Sequence, residues 1–238
     1  MSDNNAQKAT KPKMDEYPKK RGFIGNFAAR FFFLLCDITV DMKPIGRENF
    51  PLQDKYVVAV NHQSFSDGML VAKYLPKGYF KYMCALVGAD LETDYGWLGR
   101  LIVRVGRGIP VDRHGNPIRG LIKAKKEVEK GNICFVFPEG TRCHDGKLGE
   151  MKDGAAYIAI KANVPLVPVY LAGAYDVWPR GQKWPHPYKG FLKRRKIRVY
   201  IGEPLDGKDY DNDAHKLTDA MSEWMHLQEK LHMDPEVG

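Results

Sequence analysis

Long apolar runs are missing from this sequence. The nearest candidate for a spanning helix, residues 23–40, is interrupted by Arg30 and Asp37, so no uninterrupted run reaches the length a bilayer requires. Cysteine is also sparse: Cys36, Cys84, Cys134 and Cys143. None forms a Cys-x-x-Cys pair and no cleavable signal peptide precedes them, which reads as reduced cytosolic thiols rather than a disulfide scaffold. Cys143 and His144 are neighbours, but two residues do not make a zinc site, and no metal is expected. Acidic residues are outnumbered, 29 against 37 lysines and arginines, leaving a net charge of +8 and a pI near 9.2. That excess suits an anionic partner: nucleic acid, an acidic membrane surface or a phosphorylated substrate. Zinc, helix-turn-helix and RNA-binding patterns are lacking, so a nucleic-acid partner is not expected. Internal repeats are lacking too.

What is present fits one folded unit. A chain of 238 residues holds one α/β domain with a full core and a small appendage. Residues 1–17 are polar and aperiodic, and read as a disordered tail. Residues 18–40 begin with Lys19, Lys20 and Arg21 and continue with Phe23, Ile24, Phe27, Phe31, Phe32 and Phe33. A basic lead into an aromatic-rich helix predicts an amphipathic segment lying in a membrane interface, lysines at the headgroups and phenylalanines among acyl chains. Residues 41–238 form the α/β domain.

Within that domain short strands alternate with helices. Residues 56–60 and 133–137 are apolar, β-branched or aromatic runs and predict buried strands. A helix follows the first, over about 66–75. Asn116 and Pro117 open another, closed by Gly131, with Ile118, Leu121, Ile122 and Val128 as its expected buried face. Residues 154–162 read as helix and 166–171 as strand, where Pro168 argues for an edge or bulge. A last strand covers 197–201. A terminal helix over 212–232 carries Leu217, Met221, Trp224 and Leu231 near one face. Alternation of this kind predicts a mostly parallel sheet flanked by helices. In such sheets ligands gather beyond the carboxyl ends of the strands. That directs attention to the segments after Val60 and Phe137.

The first reads Asn61-His62-Gln63-Ser64-Phe65-Ser66-Asp67. A histidine fixed at a strand end can take a proton from an alcohol. A carboxylate on its other ring nitrogen sets the tautomer and steadies the imidazolium. Taken alone the His-x-x-x-x-Asp spacing is weak, since a strand-end histidine and a helix-capping aspartate match it by chance. The second segment reads Phe137-Pro138-Glu139-Gly140-Thr141-Arg142. Pro138 and Gly140 force a tight turn that exposes Glu139. Arg142 supplies a planar fork suited to phosphate. Lys152 follows at the start of the next helix, where the helix end itself favours anions.

Together these segments resemble the glycerophosphate acyltransferase superfamily, specifically the 1-acyl-glycerol-3-phosphate (lysophosphatidate) acyltransferases. The resemblance runs from about Gly46 to Glu203. An Asn-His-x-Ser-x-x-Asp motif is matched by Asn61, His62, Ser64 and Asp67, and a Phe-Pro-Glu-Gly-Thr-Arg motif is matched in full. Two more are matched in order by residues 108–113, ending Asp112-Arg113, and by residues 164–169. The resemblance implies His62 as general base and Asp67 as its orienting partner. It assigns the acceptor's phosphate to Arg113 and Arg142, with Gly140, Thr141 and Lys152 nearby, and the glycerol portion or the loop to Glu139. The implied reaction moves an acyl group from acyl-CoA or acyl carrier protein to lysophosphatidate, in phospholipid biosynthesis, without a cofactor. Related enzymes acylate other lysolipids or glycolipids, and a non-catalytic module binding anionic membrane or nucleic acid is the alternative of another class. A membrane-bound acceptor implies a peripheral or monotopic protein on the cytoplasmic face. The basic run 193–196 either adds to that surface, meets acidic acyl carrier protein, or is a solvated loop. Tyr95, Trp97, Leu98, Leu101 and Ile102 are candidates for an acyl-chain groove, with core packing as the competing role.

Overall fold

The computed structural model describes residues 14–52, 55–112 and 115–232. In chain order the main elements are α1 (Gly22–Thr39), β1 (Asp41–Ile45), β2 (Tyr56–Val60), α2 (Asp67–Ala72), β3 (Met83–Gly88), α3 (Leu91–Asp94), α4 (Gly96–Val105), β4 (Gly108–Val111), α5 (Ile118–Glu129), β5 (Ile133–Val136), α6 (Gly154–Ala162), β6 (Leu166–Ala172), α7 (Ala174–Val177), β7 (Lys196–Ile201) and α8 (Ala214–His232). The strands form one sheet in the order β1-β7-β6-β2-β5-β3-β4. Every pair is parallel except β6–β7.

The two-residue period of a strand sorts the core into halves. Val58, Val60 and Phe135 face one side, against Cys36 of α1, Val71 of α2 and Ala174 of α7. Val57, Ala59, Cys134 and Val136 face the other, against Ala124 of α5, Ile158 of α6 and Met221 of α8. Both sides of β2 and β5 are therefore covered, which is why these strands are apolar throughout rather than alternating. This is the single α/β domain with a mostly parallel sheet that the element pattern implied.

Three local expectations are corrected. Pro168 lies in a central strand, not at an edge. Its ring nitrogen faces β7, where Gly202 N donates to Pro168 O at 2.9 Å just past the last strand residue, Ile201. The other side of β6 pairs with β2 undisturbed, so the missing N–H falls where β7 has ended. Gly202 permits the close approach, since a Cβ there would sit 2.8 Å from both Pro168 and Trp224. In α5 the buried residues are Gly120, Ala124, Glu127 and Val128, while Ile118 and Ile122 are exposed. In α8, Met225 is buried and Leu231 is exposed.

The amino-terminal segment also differs in detail. Residues 14–17 of the expected tail form a 3-10 turn (Met14–Glu16) followed by a buried Tyr17; the rest of that tail lies outside the described residues. α1 continues through Arg30 and Asp37, and over 18 residues of mean hydropathy 1.3 it is long and apolar enough to cross a membrane by length and composition alone. Its buried residues are Gly25, Ala29 and Cys36, and Phe32, Phe33 and Asp37 also contact the domain, while Phe23 (86% exposed), Phe27 and Phe31 point away from the core.

The basic lead into α1 divides between two roles. Only Lys20 faces solvent fully. Lys19 pairs with Glu92 at 3.0 Å, and Arg21 is buried. The Arg21 guanidinium donates to Val105 O and Phe80 O, each at 2.6 Å, and to Met83 O at 3.1 Å. It also stacks 3.9 Å from the Phe80 ring. Burial pushes its pKa down to about 10, helped by nearby Arg107. A planar fork with several donors is what three carbonyls at the ends of separate elements require. Arg21→Met should therefore lower stability by about 2–3 kcal/mol and loosen the start of α1. Urea unfolding with limited proteolysis checks this, and an unchanged midpoint would remove Arg21 as the clamp.

Candidate active site

The site begins with strand register. β2 and β5 pair Ala59 with Val136, and carrying that offset three residues onward sets His62 opposite Glu139. The His62 backbone N–H donates to Glu139 Oε1 at 2.8 Å, and His62 O accepts from Cys143 N at 2.8 Å. Both polar groups of one peptide residue are thus tied to the turn after β5. The imidazole stacks on Phe137, centroids 4.1 Å apart. Asn61 secures the other flank: its amide donates to Leu171 O at 3.0 Å and accepts from Leu171 N at 2.7 Å, joining the end of β2 to β6.

Asp67 opens α2 and is fully buried. Its Oδ2 meets His62 Nδ1 at 2.9 Å and accepts from Gln63 N and Ser64 N, each at 2.7 Å. Its Oδ1 accepts from Ser64 Oγ at 2.6 Å. These donors compensate the buried carboxylate. They also fix it on Nδ1, so the imidazole's Nε2 is the nitrogen left for a reactant.

Glu139 is buried as well, and its Oε2 accepts from Gly149 N at 3.1 Å. Burial pushes its carboxyl up to about 7 against the opposing pull of its two backbone donors. Its contacts are to backbone, so it braces the turn. Gly140 adopts φ +71, and a side chain there would approach the Lys152 ammonium at 3.2 Å, which sets Lys152 over the turn. Lys152 N also donates to Pro138 O at 3.0 Å.

The Arg142 guanidinium lies over Phe65, 3.5 Å from the ring centroid, and donates to the Tyr95 hydroxyl at 3.4 Å. Phe65 packs edge-on against Tyr95 and Trp178. Arg180 approaches from the segment after α7, its Nη1 at 3.2 Å from both Thr141 Oγ1 and Arg142 O and 3.1 Å from His144 Nε2. Desolvation lowers the Arg142 pKa, and the charge of Arg180 adds to that. Two guanidiniums near enough for their charges to interact favour an anion between or across them.

The structure thus brings together His62, Asp67, Glu139, Gly140, Thr141, Arg142 and Lys152 at the carboxyl ends of β2 and β5. Arg113 lies outside the described residues. Its neighbour Asp112 leaves the end of edge strand β4 and accepts from Gly115 N at 2.8 Å, which is a turn role. Of the groove candidates, Tyr95 joins the site, whereas Trp97 projects into solvent. Sequence reasoning missed Arg180. The available signal was its position beyond the end of β6, between Pro179 and Gly181, in a turn that opens onto the same end of the sheet.

Comparison with known proteins agrees with this arrangement. The family model described as Acyltransferase matches residues 41–172, more than half of the chain. A chloroplastic 1-acyl-sn-glycerol-3-phosphate acyltransferase of Brassica napus is 33% identical over 76% of this chain and 50% of its own length. The chloroplastic relative from Arabidopsis thaliana is 31% identical over 76% and 48%. The chain spans about half the length of these two curated relatives. It matches 97% of the 1-acyl-sn-glycerol-3-phosphate acyltransferase of Bacillus subtilis (strain 168), at 27% identity over 86% of this chain. The crystal structure of the 1-acyl-sn-glycerophosphate (LPA) acyltransferase PlsC from Thermotoga maritima superposes with a TM-score of 0.69 at 24% identity, covering 91% of this chain and 84% of that one; this likeness shows the fold. With the histidine–aspartate pair and the arginine-bearing turn both inside the matched span, the chain belongs to the Acyltransferase family.

Proposed function

We propose that the protein is a 1-acyl-sn-glycerol-3-phosphate O-acyltransferase, with residues 41–238 as the catalytic domain. The observation that carries this reading is the His62 Nδ1–Asp67 pair at 2.9 Å, presented beside the Arg142–Arg180 guanidiniums. The names of the curated relatives support the acceptor. His62 Nε2 takes the proton of the free glycerol hydroxyl. The oxygen attacks the carbonyl carbon of an acyl thioester carried on coenzyme A or acyl carrier protein. The carbon–sulfur bond of the tetrahedral intermediate then breaks, and the imidazolium returns the proton to the departing sulfur. Arg142, with Arg180, Thr141 and Lys152, holds the acceptor's phosphate, and Arg113 joins them by its motif. No cofactor is assigned. Glu139 positions rather than reacts, keeping the His62 peptide at the height of the turn.

Residues 18–40 dock the enzyme at the bilayer where acceptor and product reside. The exposed stripe of α1, with Phe23, Ile24, Phe27, Phe31 and Ile38, supports this, since apolar area of that kind lies in the interface while the domain stays in water. A reduced-thiol protein with coenzyme A or carrier-protein donors belongs on the cytoplasmic face.

His62→Ala and Asp67→Asn should each lower kcat by about 10²–10⁴-fold in an assay with lysophosphatidate and acyl-CoA, without loss of vesicle binding; full turnover in either would sink the mechanism. Arg142→Ala and Arg180→Ala should each raise the acceptor KM about tenfold or more while leaving the donor KM unchanged, and an unaltered acceptor KM would take that arginine out of the phosphate site. Glu139 yields a stability prediction. Between about pH 4.5 and 7 the folded chain holds a proton at this carboxyl that the unfolded chain has released, so stability from this group falls as pH rises through that window. Glu139→Gln lacks the titration. The wild-type-minus-variant difference in unfolding free energy should shrink by on the order of 3 kcal/mol from pH 4.5 to 7, as read by urea unfolding at both pH values, and a constant difference would refute the raised pKa.

A further inference from the structure

The segment joining α7 to β7 is left over by the reading above, apart from Arg180. From residue 177 to residue 202 there is no aspartate or glutamate, yet there are eight lysines and arginines. Two of the eight, Lys196 and Arg198, lie in β7, and six lie in the excursion itself. Within it the chain forms a small hairpin: Tyr188 bridges Arg194, Lys189 N donates to Lys193 O at 2.7 Å, and Arg195 N donates to Pro187 O at 2.8 Å. The tip is Gly190-Phe191-Leu192. Phe191 is 94% exposed and Leu192 71%, and Trp184 on the same excursion is 70% exposed.

Tips of this kind ordinarily carry Gly, Asn, Asp or Ser. Here Leu192 occupies the left-handed region at φ +57, which disfavours a branched apolar residue. The fold therefore holds two large apolar side chains in water, one of them at a strained position, with Lys189 next to the tip and Lys183 beside Trp184 on the same excursion. The hairpin's base is tied to the end of α1, where Arg194 Nη1 donates to Asp37 O at 3.0 Å, and to β1, where Asp41 N donates to Arg195 O at 2.9 Å.

We propose that this hairpin tip is a second lipid-contacting surface, in which Phe191 and Leu192 enter the interface of an anionic bilayer while Lys183 and Lys189 meet its headgroups. An apolar tip ringed by basic charge matches the layered chemistry of such a surface, hydrocarbon beneath phosphate. Trp184 fits the headgroup level, where tryptophan concentrates. A nucleic acid would satisfy the charge and stack on Phe191, but gives the aliphatic Leu192 no partner. An acidic protein would need a pocket shaped to the tip, whereas a bilayer imposes no shape. The inference extends the membrane reading of α1 but rests on different residues.

The test uses the full chain and vesicles of phosphatidylcholine alone or mixed with phosphatidylglycerol. Phe191→Ser/Leu192→Ser should bind anionic vesicles about tenfold more weakly with an unchanged circular dichroism spectrum. Lys183→Glu/Lys189→Glu should abolish the preference for anionic over neutral vesicles, as added salt does in the wild type. Phe191→Trp should gain fluorescence quenching by brominated lipid relative to the parent. Unchanged vesicle affinity in the serine variant overturns the proposal and leaves α1 as the sole docking element. Unchanged vesicle affinity together with a loss confined to the acyl-carrier-protein donor overturns it in favour of a protein contact. Wild-type protein that fails to bind either vesicle sinks both membrane readings, while acyl transfer to dispersed acceptor would still stand or fall on its own turnover.

Discussion

The active face depends on the parallel register of β2 against β5. That register sets His62 and Glu139 side by side from positions far apart in the chain, and a hydrogen bond of 2.8 Å closes the gap. Because the strands are buried on both faces, a slip would move a whole set of apolar side chains to the wrong core. The histidine is consequently held by a rigid element, its backbone tied on both sides and its ring set between Phe137 and Asp67. Such preorganisation matters in an acyl transfer, where two bound substrates must meet in one geometry.

Charge in this molecule is sorted by depth. Arg21, deep in the fold, spends its donors on three carbonyls and serves structure. Arg142 and Arg180 sit at the rim, Arg142 over the Phe65 ring and both hydrogen-bonded, and among the described residues neither forms an ion pair with a carboxylate. Like charges near each other are relieved by an anion, which is the basis of the phosphate role proposed for this pair. The basic excursion before β7 keeps its charge farther out, with apolar side chains at its tip. A net charge of +8 therefore has at least three separate consequences, and composition alone cannot tell them apart.

Strands β2 and β5 and helix α6 were legible because burial on both faces, or clear end signals, leave few alternative readings. The faces of α5 and α8 were less so. In α5 small residues, Gly120 and Ala124, face the core and let the helix approach the sheet, while Ile118 and Ile122 remain outside. Periodicity records size and hydrophobicity, but the approach distance decides which stripe is inward. Pro168 was misplaced for a related reason: its missing N–H matters only on the side it faces, and that depends on where a neighbouring strand stops. Lys19-Lys20-Arg21 read as one basic patch, yet one member is buried, one is paired with Glu92 and one faces solvent.

The sequence by itself determined the parallel α/β class and the two motif segments, each written in local order as a buried strand followed by a short polar turn, and the two motifs together pointed to the pairing of His62 with Asp67. Tertiary structure alone decided what surrounds them. It brought Arg180 from beyond β6 to the turn bearing Arg142, set Glu139 on the backbone amide of His62, and buried Arg21 at the start of α1. These are contacts between segments dozens of residues apart, and their outcome depends on register, packing distance and desolvation, none of which a linear pattern encodes.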